Sequence, residues 1–293
     1  MGCQNGQGSD MRSLNPTVIM AAGKGSRMKA ASDVPAHILR EAQSRPKAMI
    51  RIGQSAQPLL EHLMLQLKFE GCTDVCVVIA EEDTTTEPHF EQSPIAGMGL
   101  SFVRQSTPPQ RDKPLGTAHA VQLALEANPH WREASITVAN GDNLPPRGMF
   151  KALFELKAGL PAFEPQHLGL PPERVLAFAV LHINEKGRLT GITEKPTLLQ
   201  VEQAQWNDGH PRVSMNYFRL PYAQLLNAVR TVPENPVRKE RELPEAISLF
   251  IQSGGSMEAI SMAGAFLDLT HPSDIETAGK VLDAGGHDLH QRT

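Results

Sequence analysis

The chain has 293 residues, of which 40% are hydrophobic and 20% charged, the proportions of a soluble globular protein with one large α/β domain or two small ones. Its formal net charge of −4 and the absence of a basic stripe argue against nucleic-acid binding and favour a small-molecule ligand. No apolar run is long enough to cross a membrane, and the 3 cysteines are too few for a disulfide framework. We therefore expect a cytoplasmic protein without membrane or nucleic-acid partners.

Residues 1–16 are rich in Gly, Gln, Asn and Ser, so they predict a disordered leader rather than a secretory signal. After them, strand-like and helix-like segments alternate, a pattern typical of a mostly parallel sheet covered by helices. The predicted strands are 17–22, 75–80, 100–104, 135–139, 175–183, 212–220 and 257–262. The predicted helices are 58–70, 117–127, 148–157, 222–229, 245–253 and 273–283. Segments 81–98 and 158–172 are expected to be loops, either solvated or closing over a substrate.

The most informative motif is a glycine-rich loop after the first predicted strand. The apolar run 17–22 leads into Gly23 and Gly25, and Arg27 follows. Glycine lets the backbone approach a ligand closely, and a cation beside such a loop suits phosphate. Lys47 supplies a second cation farther along. We predict a phosphate-binding loop, although an ordinary strand-to-helix turn has the same pattern.

The same loop argues against two common nucleotide-binding motifs. A P-loop requires lysine and then serine or threonine after its last glycine, whereas Gly25 is followed by Ser26 and Arg27. A dinucleotide-binding fingerprint requires a third glycine where this chain has Met28. An NAD-dependent oxidoreductase is therefore disfavoured.

Two later segments each end in an aspartate. The predicted strand 135–139 is followed by Gly141 and Asp142, and a short apolar segment ends at Asp268. Ligands gather beyond the carboxyl ends of strands in an open parallel sheet, and a carboxylate there suits Mg²⁺ bound against a phosphate. Taken alone, the first segment is also a common turn sequence and the second is unremarkable.

Two more segments carry groups suited to a nucleotide or a sugar. Gly116 and Thr117 open a predicted helix after Gln105, and N–H groups at a helix start suit a phosphate or the edge of a base. Glu194 followed by Lys195 offers a carboxylate for hydroxyl groups and a cation for a phosphate. An ordinary helix start and a solvated turn are the respective alternatives.

The order of these motifs resembles that of the sugar-phosphate nucleotidyltransferase family, whose members make nucleotide-sugars from a nucleoside triphosphate and a sugar-1-phosphate. The resemblance implies an α/β fold: a Rossmann-like single domain with a mixed, mostly parallel central sheet flanked by helices, of the nucleotide-diphospho-sugar transferase type. We expect this nucleotidyltransferase domain at residues 17–284, between the leader and a tail at 285–293. Many members of the family are dimers or tetramers, so a homo-oligomer is left open.

The resemblance also implies a role for each motif residue in Mg²⁺-dependent transfer of a nucleoside monophosphate. The residues implied in catalysis are Arg27, Lys47 and Asp142. Those implied in nucleotide binding are Ala22, Gly23, Gly25, Ser26, Gln105, Gly116 and Thr117. Those implied in binding the sugar phosphate are Gly141, Glu194, Lys195 and Asn216. The implied metal ligands are Asp142 and Asp268.

The identity of the substrates is a separate expectation. Gln105 can pair with the N3–H and O4 edge of uracil or thymine, which favours UTP or dTTP. Two alternatives stay open: a catalytically weak or inactive homologue that binds nucleotide-sugars for regulation, and a nucleotidyltransferase that acts on a non-sugar phosphate.

The chain departs from the family pattern at several positions. Ser26 stands where the family has threonine, and Thr270 stands where the late motif has glycine, which weakens the assignment of Asp268. The segment between the first loop and Lys47 is longer than usual, and we interpret it as a solvated insertion. We interpret His119 as a surface or helix-cap histidine rather than a general base, and we interpret His271 in the same way.

Overall fold

The computed structural model describes residues 15–23, 36–170, 174 and 178–284. The expected tail, nearly all of the expected leader and the site residues Gly25, Ser26 and Arg27 lie outside the described residues. The strands are β1 (Thr17–Met20), β2 (Arg51–Ile52), β3 (Gln57–Pro58), β4 (Asp74–Ala80), β5 (Gly99–Gln105), β6 (Ser135–Asn140), β7 (Asn143–Leu144), β8 (Gly159–Phe163), β9 (Ala179–Ile183), β10 (Leu189–Thr193), β11 (Arg212–Ser214), β12 (Phe218–Pro221), β13 (Glu258–Met262) and β14 (Leu267–Asp268). The α-helices are Ala36–Ser44, Leu59–Phe69, Thr86–Gln92, Thr117–Ala127, Met149–Phe154, Leu198–Gln203, Tyr222–Thr231, Leu243–Gln252 and Ser273–Asp283.

A mixed sheet organises the molecule, with the strand order β10-β9-β11-β8-β12-β6-β1-β4-β5 and with β13 paired to β8. Strands β6, β1, β4 and β5 are mutually parallel and form its core half. From β12 to β10 the successive pairs are antiparallel, whereas β13 runs parallel to β8. The predicted α/β fold, with mostly parallel core strands flanked by helices, is confirmed.

Alternate side chains of the parallel strands build an apolar layer on each face of the sheet. Val18 of β1 belongs to one buried cluster and Ile19 to the other. Helices Thr117–Ala127, Tyr222–Thr231 and Leu243–Gln252 contribute to the Val18 layer, and helices Leu59–Phe69 and Ser273–Asp283 contribute to the Ile19 layer. Strands covered on both faces read as continuous apolar runs, which is why β1 and β4 are recognisable in the sequence.

The helices of the described part of the chain were also compared with the length and hydropathy that a bilayer requires. None of them is long and apolar enough to span a membrane.

The expected loop 158–172 is wrong, because this segment contains the strand β8. Every residue of β8 is buried, and the strand pairs with β11, β12 and β13. A Cβ built on Gly159 would lie only 2.6 Å from the carbonyl oxygen of Glu258, so close packing of strands requires glycine there. Gly159, one of the residues that suggest a loop, therefore reflects this close packing instead.

Three other expectations differ from the structure. The predicted strand 212–220 is split into β11 and β12, because Asn216 between them has a left-handed φ of 60°. Helix Thr86–Gln92 lies within the expected loop 81–98, and helix Ala36–Ser44 lies within the segment interpreted as a solvated insertion. Strand β10 is absent from the predicted elements.

Candidate functional site

A cavity of about 650 Å³ opens where the parallel strands β1, β5 and β6 end. The carboxyl ends of parallel strands meet at one edge of a sheet, which is the usual place for a ligand in open α/β folds. Seven predicted site residues line this cavity: Ala22, Gly23, Lys47, Gln105, Gly116, Thr117 and Asp142. The structure therefore brings together segments that lie far apart in the chain.

The glycines Gly23 and Gly141 flank the end of β1 but differ in their surroundings. A Cβ built on Gly23 would meet nothing within 4 Å, so Gly23 leaves open space beside the cavity. A Cβ on Gly141 would lie 3.1 Å from side-chain carbons of Ala21 and Ile19, and the Gly141 N–H donates to Met20 O at 2.9 Å. Gly141 therefore holds the end of β6 tightly against β1, which positions Asp142.

An ion pair between Lys47 and Asp142 forms the charged wall of the cavity. Lys47 Nζ lies 2.7 Å from Asp142 Oδ2, and the two side chains are 15% and 36% exposed. Lys47 opens a short 3₁₀ turn whose next residues, Ala48 and Met49, are buried, so the backbone beneath the cation is anchored. In such a half-buried pair, the cation is a group that can bind a phosphate and the carboxylate is a group that can bind a metal ion.

Asp268 lies beside Asp142 through a short two-stranded ladder. Strand β14 pairs with β7 so that Asp268 stands opposite Asn143, and Leu269 N donates to Asp142 O at 3.4 Å. Asp268 Oδ2 accepts from Arg174 Nη2 at 2.6 Å. The structure thus places the second predicted carboxylate next to the first.

Thr270, which replaces the family's glycine, does not move Asp268 away from this position. Its backbone φ is not among the left-handed values of the described residues, so glycine is not required there. Its hydroxyl donates to Asp268 Oδ2 at 2.5 Å, and Thr270 itself lines the cavity.

The buried phenol of Tyr217 interacts electrostatically with both carboxylates. Tyr217 donates from its hydroxyl to Asn143 Oδ1 at 2.5 Å. Burial raises the pKa of Tyr217 well above its ordinary value, and the negative charges of Asp142 and Asp268 raise it further. Tyr217 therefore remains a neutral donor that fixes the residue next to Asp142.

The donor set fits a divalent metal bound jointly with a phosphate. Within the described residues, no cluster of three or more His, Cys, Asp or Glu side chains could hold a metal ion alone. Mg²⁺ is commonly held by one or two carboxylates together with waters and substrate phosphates. Asp142 lines the cavity, and Asp268 is brought near it by the backbone pairing of β14 with β7, so these two carboxylates are the candidates for such an arrangement.

The opposite wall of the cavity carries Gln105 and the start of helix Thr117–Ala127. Gln105 is buried at the end of β5, and its Nε2 donates to Gly116 O at 2.9 Å. Gly116 has a φ of 101°, and a Cβ there would lie 2.5 Å from Arg241 O. Thr117 Oγ1 accepts from Leu243 N at 2.9 Å. Segment 240–243 thus fixes the shape of this wall.

The remaining predicted residues, Glu194, Lys195 and Asn216, do not line the cavity. Asn216 immediately precedes Tyr217, whose hydroxyl binds Asn143, the residue after Asp142. Glu194 and Lys195 follow β10 and are exposed, with a left-handed φ of 49° at Lys195. Of the charged residues predicted for the site, Lys47 and Asp142 line the cavity, whereas Glu194, Lys195 and Asp268 do not.

Glu194 belongs to a charged group at the outer edge of the same region. Although the residue as a whole is exposed, partial burial of its carboxyl group raises the pKa of Glu194; the positive charge of Arg238 opposes this rise and the negative charge of Glu242 adds to it. Arg238 and Glu242 form an ion pair in the segment that also contains Glu240, which lines the cavity. Glu194 is therefore connected to the cavity through this segment.

Several side chains near the cavity escape sequence reasoning. Asp112, Lys113 and Glu240 line it, and Arg174 bridges Asp268 and Asp274. Lys113 and Glu240 form an ion pair of 3.5 Å across the cavity wall. Thr270 lies within a recognised motif, but no spacing pattern marks Glu240 or Arg174, because each comes from a distant segment.

Three relatives show what the chain is similar to. The chain is 26% identical over 269 residues to the UTP–glucose-1-phosphate uridylyltransferase AglF of Haloferax volcanii, covering 90% of this chain and 95% of that protein. It is 23% identical over 270 residues to a glucose-1-phosphate thymidylyltransferase of Streptomyces antibioticus, covering 88% and 63%. It is 26% identical over 246 residues to the bifunctional protein GlmU of Staphylococcus epidermidis, covering 82% of this chain but only 46% of GlmU.

A family model extends the comparison over almost the whole described fold. Residues 16–284, which include the cavity and both carboxylates, match the model described as nucleotidyl transferase. The order of the motifs, the fold and this match agree, and the chain belongs to the nucleotidyl transferase family.

Proposed function

We propose that this nucleotidyltransferase moves a nucleoside monophosphate from a triphosphate, with UTP or dTTP preferred, to a sugar-1-phosphate and releases pyrophosphate. The observation that carries the proposal is the convergence of Lys47, Asp142 and Asp268 beside a cavity whose other wall holds Gln105. The named relatives include uridylyl and thymidylyl transferases of glucose-1-phosphate, which favours the same substrate class. The proposal assigns this chemistry to residues 17–284.

The reaction requires positioning and charge neutralisation rather than a protein nucleophile. A phosphate oxygen of the sugar-1-phosphate attacks the α-phosphorus of the triphosphate and forms the new P–O bond. The bond between the α-phosphorus and the bridging oxygen to the β-phosphate breaks, and its electron pair leaves with pyrophosphate. Side chains accelerate such a step by aligning the two anions and by compensating their charge.

Lys47 is the cation best placed for this compensation. Its ion pair with Asp142 is partly exposed, and such pairs contribute no more than about 1 kcal/mol. An arriving phosphate can therefore take the place of the carboxylate as the partner of Lys47 at little cost. Arg27 is assigned to the triphosphate in the same way, from the sequence motif.

Asp142 and Asp268 are the residues that would hold Mg²⁺. When bound, this metal lowers the effective charge of the phosphates and makes the leaving pyrophosphate a better leaving group. Asn143, held by Tyr217, keeps the ladder between the two carboxylates in register.

Gln105 would contact the base, and Glu194, Lys195 and Asn216 would contact the sugar phosphate. Gln105 uses its amide nitrogen within the protein, which leaves its oxygen for the N3–H of uracil or thymine. Glu194 and Lys195 provide a carboxylate for sugar hydroxyls and a cation for the sugar phosphate. Their position outside the cavity suits an acceptor that enters after the triphosphate.

The decisive experiment measures pyrophosphate release from five triphosphates, UTP, dTTP, CTP, ATP and GTP, against a panel of sugar-1-phosphates, with Mg²⁺ or with a chelator. Release that depends on Mg²⁺, on UTP or dTTP and on one sugar-1-phosphate supports the proposal and names both substrates. Choline phosphate and glycerol phosphate belong in the panel. Turnover with these alone would overturn the sugar assignment, and binding of a nucleotide-sugar without any turnover would favour the regulatory alternative.

A further inference from the structure

The orientation of the Gln105 side-chain amide is determined by its first partner. The group that faces Gly116 O at 2.9 Å must be a donor, because a carbonyl oxygen only accepts hydrogen bonds. The Gln105 nitrogen therefore points into the protein, and the side chain is only 4% exposed, so it has little room to rearrange. Its oxygen remains the group that Gln105 can offer to a ligand in the cavity.

His119 is a second hydrogen-bond partner of the same Gln105 nitrogen. His119 Nδ1 lies 3.3 Å from Gln105 Nε2, and it comes from the first turn of helix Thr117–Ala127. An amide nitrogen only donates, so Nδ1 acts as an acceptor and carries no proton. The two hydrogens of the Gln105 amide are then used by Gly116 O and by His119 Nδ1.

A protonated His119 is incompatible with either orientation of Gln105. With the present orientation, an Nδ1–H group would face the amide N–H₂, donor against donor. With the amide turned around, the Gln105 oxygen would accept from Nδ1–H but would face Gly116 O, acceptor against acceptor. The arrangement therefore depends on a neutral imidazole.

We propose that His119 is a positioning residue that fixes the Gln105 amide so that the cavity selects a base with an N–H donor at its Watson–Crick edge. This inference rests on the proposed function and deepens it. Uracil and thymine present N3–H to the Gln105 oxygen, whereas cytosine presents an unprotonated N3, which repels that oxygen. Discrimination between UTP and CTP then depends on a side chain that does not touch the base.

The charges around His119 agree with a neutral ring at neutral pH. Burial lowers the pKa of His119, and the positive charge of Arg241, from the segment packed against Gly116, lowers it further. Glu126, on the same helix, acts in the opposite direction, but Glu126 is already paired with Arg230. The protonated form therefore accumulates only at a pH below the ordinary pKa of an imidazole.

The test compares the wild type with His119→Leu, which removes the acceptor, and His119→Asn, whose side-chain oxygen replaces Nδ1 as an acceptor that does not titrate. KM and kcat are measured for UTP, dTTP and CTP between about pH 5.5 and 8. In His119→Leu, the preference for UTP over CTP should fall about tenfold, mainly through KM, the effect expected from one well-oriented hydrogen bond. His119→Asn should retain the preference.

The pH profile separates positioning from a merely structural role. As the pH falls below the ordinary imidazole range, the wild-type KM for UTP should rise more steeply than the KM of His119→Asn. Titration of the triphosphate is common to both proteins and cancels in this comparison. Calorimetric titration with UTP alone, without the sugar phosphate, should give the same order of affinities.

Each further outcome decides the question. If His119→Leu folds, as judged by its thermal unfolding, and keeps both the preference and the wild-type pH profile, the role of His119 is overturned while the proposed function stands. If the wild type turns over but shows no preference among the bases, the inference is overturned with the base assignment. If the wild type releases no pyrophosphate, the proposed function fails, and calorimetry with UTP and CTP still decides the role of His119.

Discussion

At the residue scale, the two carboxylates of the site have different partners. Asp142 pairs with Lys47 and is 36% exposed, whereas Asp268 pairs with Arg174 and is 11% exposed. The more accessible Asp142 can change partner when phosphate arrives, and Asp268 is held in place. If both bind the metal as proposed, Asp142 is the carboxylate that can change partner and Asp268 the one that stays in place.

The substitution Asp142→Asn should lower kcat for pyrophosphate release by about 10²–10³. It removes a charge that compensates the metal and leaves Lys47 without its partner. The fold should survive, since a partly exposed ion pair contributes little stability. Thermal unfolding and turnover at several Mg²⁺ concentrations check both statements. Glu202→Gln, an exposed carboxylate-to-amide change on helix Leu198–Gln203, is the matched control, and equal turnover in both variants would remove Asp142 from the site.

Lys195→Met should raise KM for the sugar-1-phosphate about tenfold or more and leave KM for the triphosphate nearly unchanged. Lys195 is exposed and does not line the cavity proposed for the triphosphate, so its loss should affect binding of the sugar-1-phosphate alone. Both substrates are varied in steady-state kinetics, with Lys186→Met, another exposed lysine, as the control. An equal rise in both KM values would show that Lys195 does not distinguish the two phosphates.

At the element scale, the sequence predicts the strands of the parallel half of the sheet well. Strands β1, β4 and β5 lie in the parallel half of the sheet, and the first two are continuous apolar runs. Strand β8 is equally buried, but Gly159 and Pro161 make its sequence look like that of a loop. Gly159 is required by the close packing of adjacent strands rather than by a turn. Close approach of backbones and loop flexibility both require glycine, and composition does not distinguish them.

The candidate site also contains residues that the sequence can predict and residues that it cannot. The residues that follow the parallel strands, such as Gly23 and Asp142, could be predicted because strand ends share one edge of the sheet. Glu240 and Arg174 reach the region through long-range packing, which no local pattern records. His119 was interpreted as a surface or cap residue, and only the distance to Gln105 reveals its neighbour.

Gly116 packs closely against segment 240–243, so a substitution there measures how firmly this segment holds the start of helix Thr117–Ala127. Gly116→Ala places a Cβ 2.5 Å from Arg241 O at a φ of 101°, so it should destabilise the protein by more than the strained φ alone costs, about 1–3 kcal/mol. Gly209→Ala, at a φ of 77° with nothing within 4 Å, carries the strain without the clash. Urea unfolding of both variants measures the difference. If the two lose equal stability, segment 240–243 yields readily and does not fix the wall of the cavity.

At the scale of the whole molecule, the opposite edge of the sheet holds a buried polar network. Arg219 of β12 donates to Leu156 O at 2.9 Å, to Thr137 Oγ1 at 3.0 Å and to Asn15 Oδ1 at 3.0 Å. Burial lowers the pKa of Arg219 to about 10. The amino ends of β1 and β6 are thus tied together by side chains, whereas their carboxyl ends are left open for ligands. The polar network that ties the strands together and the candidate site therefore lie at opposite edges of the sheet.

Cys72 joins the same network, and its ionisation should control stability at alkaline pH. Its Sγ donates to Thr17 Oγ1, Asn15 O or Asp74 O, and burial raises the pKa of the thiol from 9.0 to about 11. The unfolded chain releases this proton near pH 9, and the folded protein retains it until about pH 11. The contribution is therefore complete below pH 9 and is lost as the pH rises toward 11, a change of about 2–3 kcal/mol.

Cys72→Ala should be less stable than the wild type at pH 8, because it leaves a small cavity, yet its stability should fall less steeply between pH 9 and 11. Urea unfolding across this range measures the difference in slope, in which the lysines and tyrosines common to both proteins cancel. Val75→Ala is the matched control, because it also leaves a cavity at a buried position but removes no titrating group, so its slope should equal that of the wild type. Identical slopes in the wild type and in Cys72→Ala would mean that the thiol ionises as readily in the folded protein as in the unfolded chain. Water would then reach the buried network at the amino ends of β1 and β6.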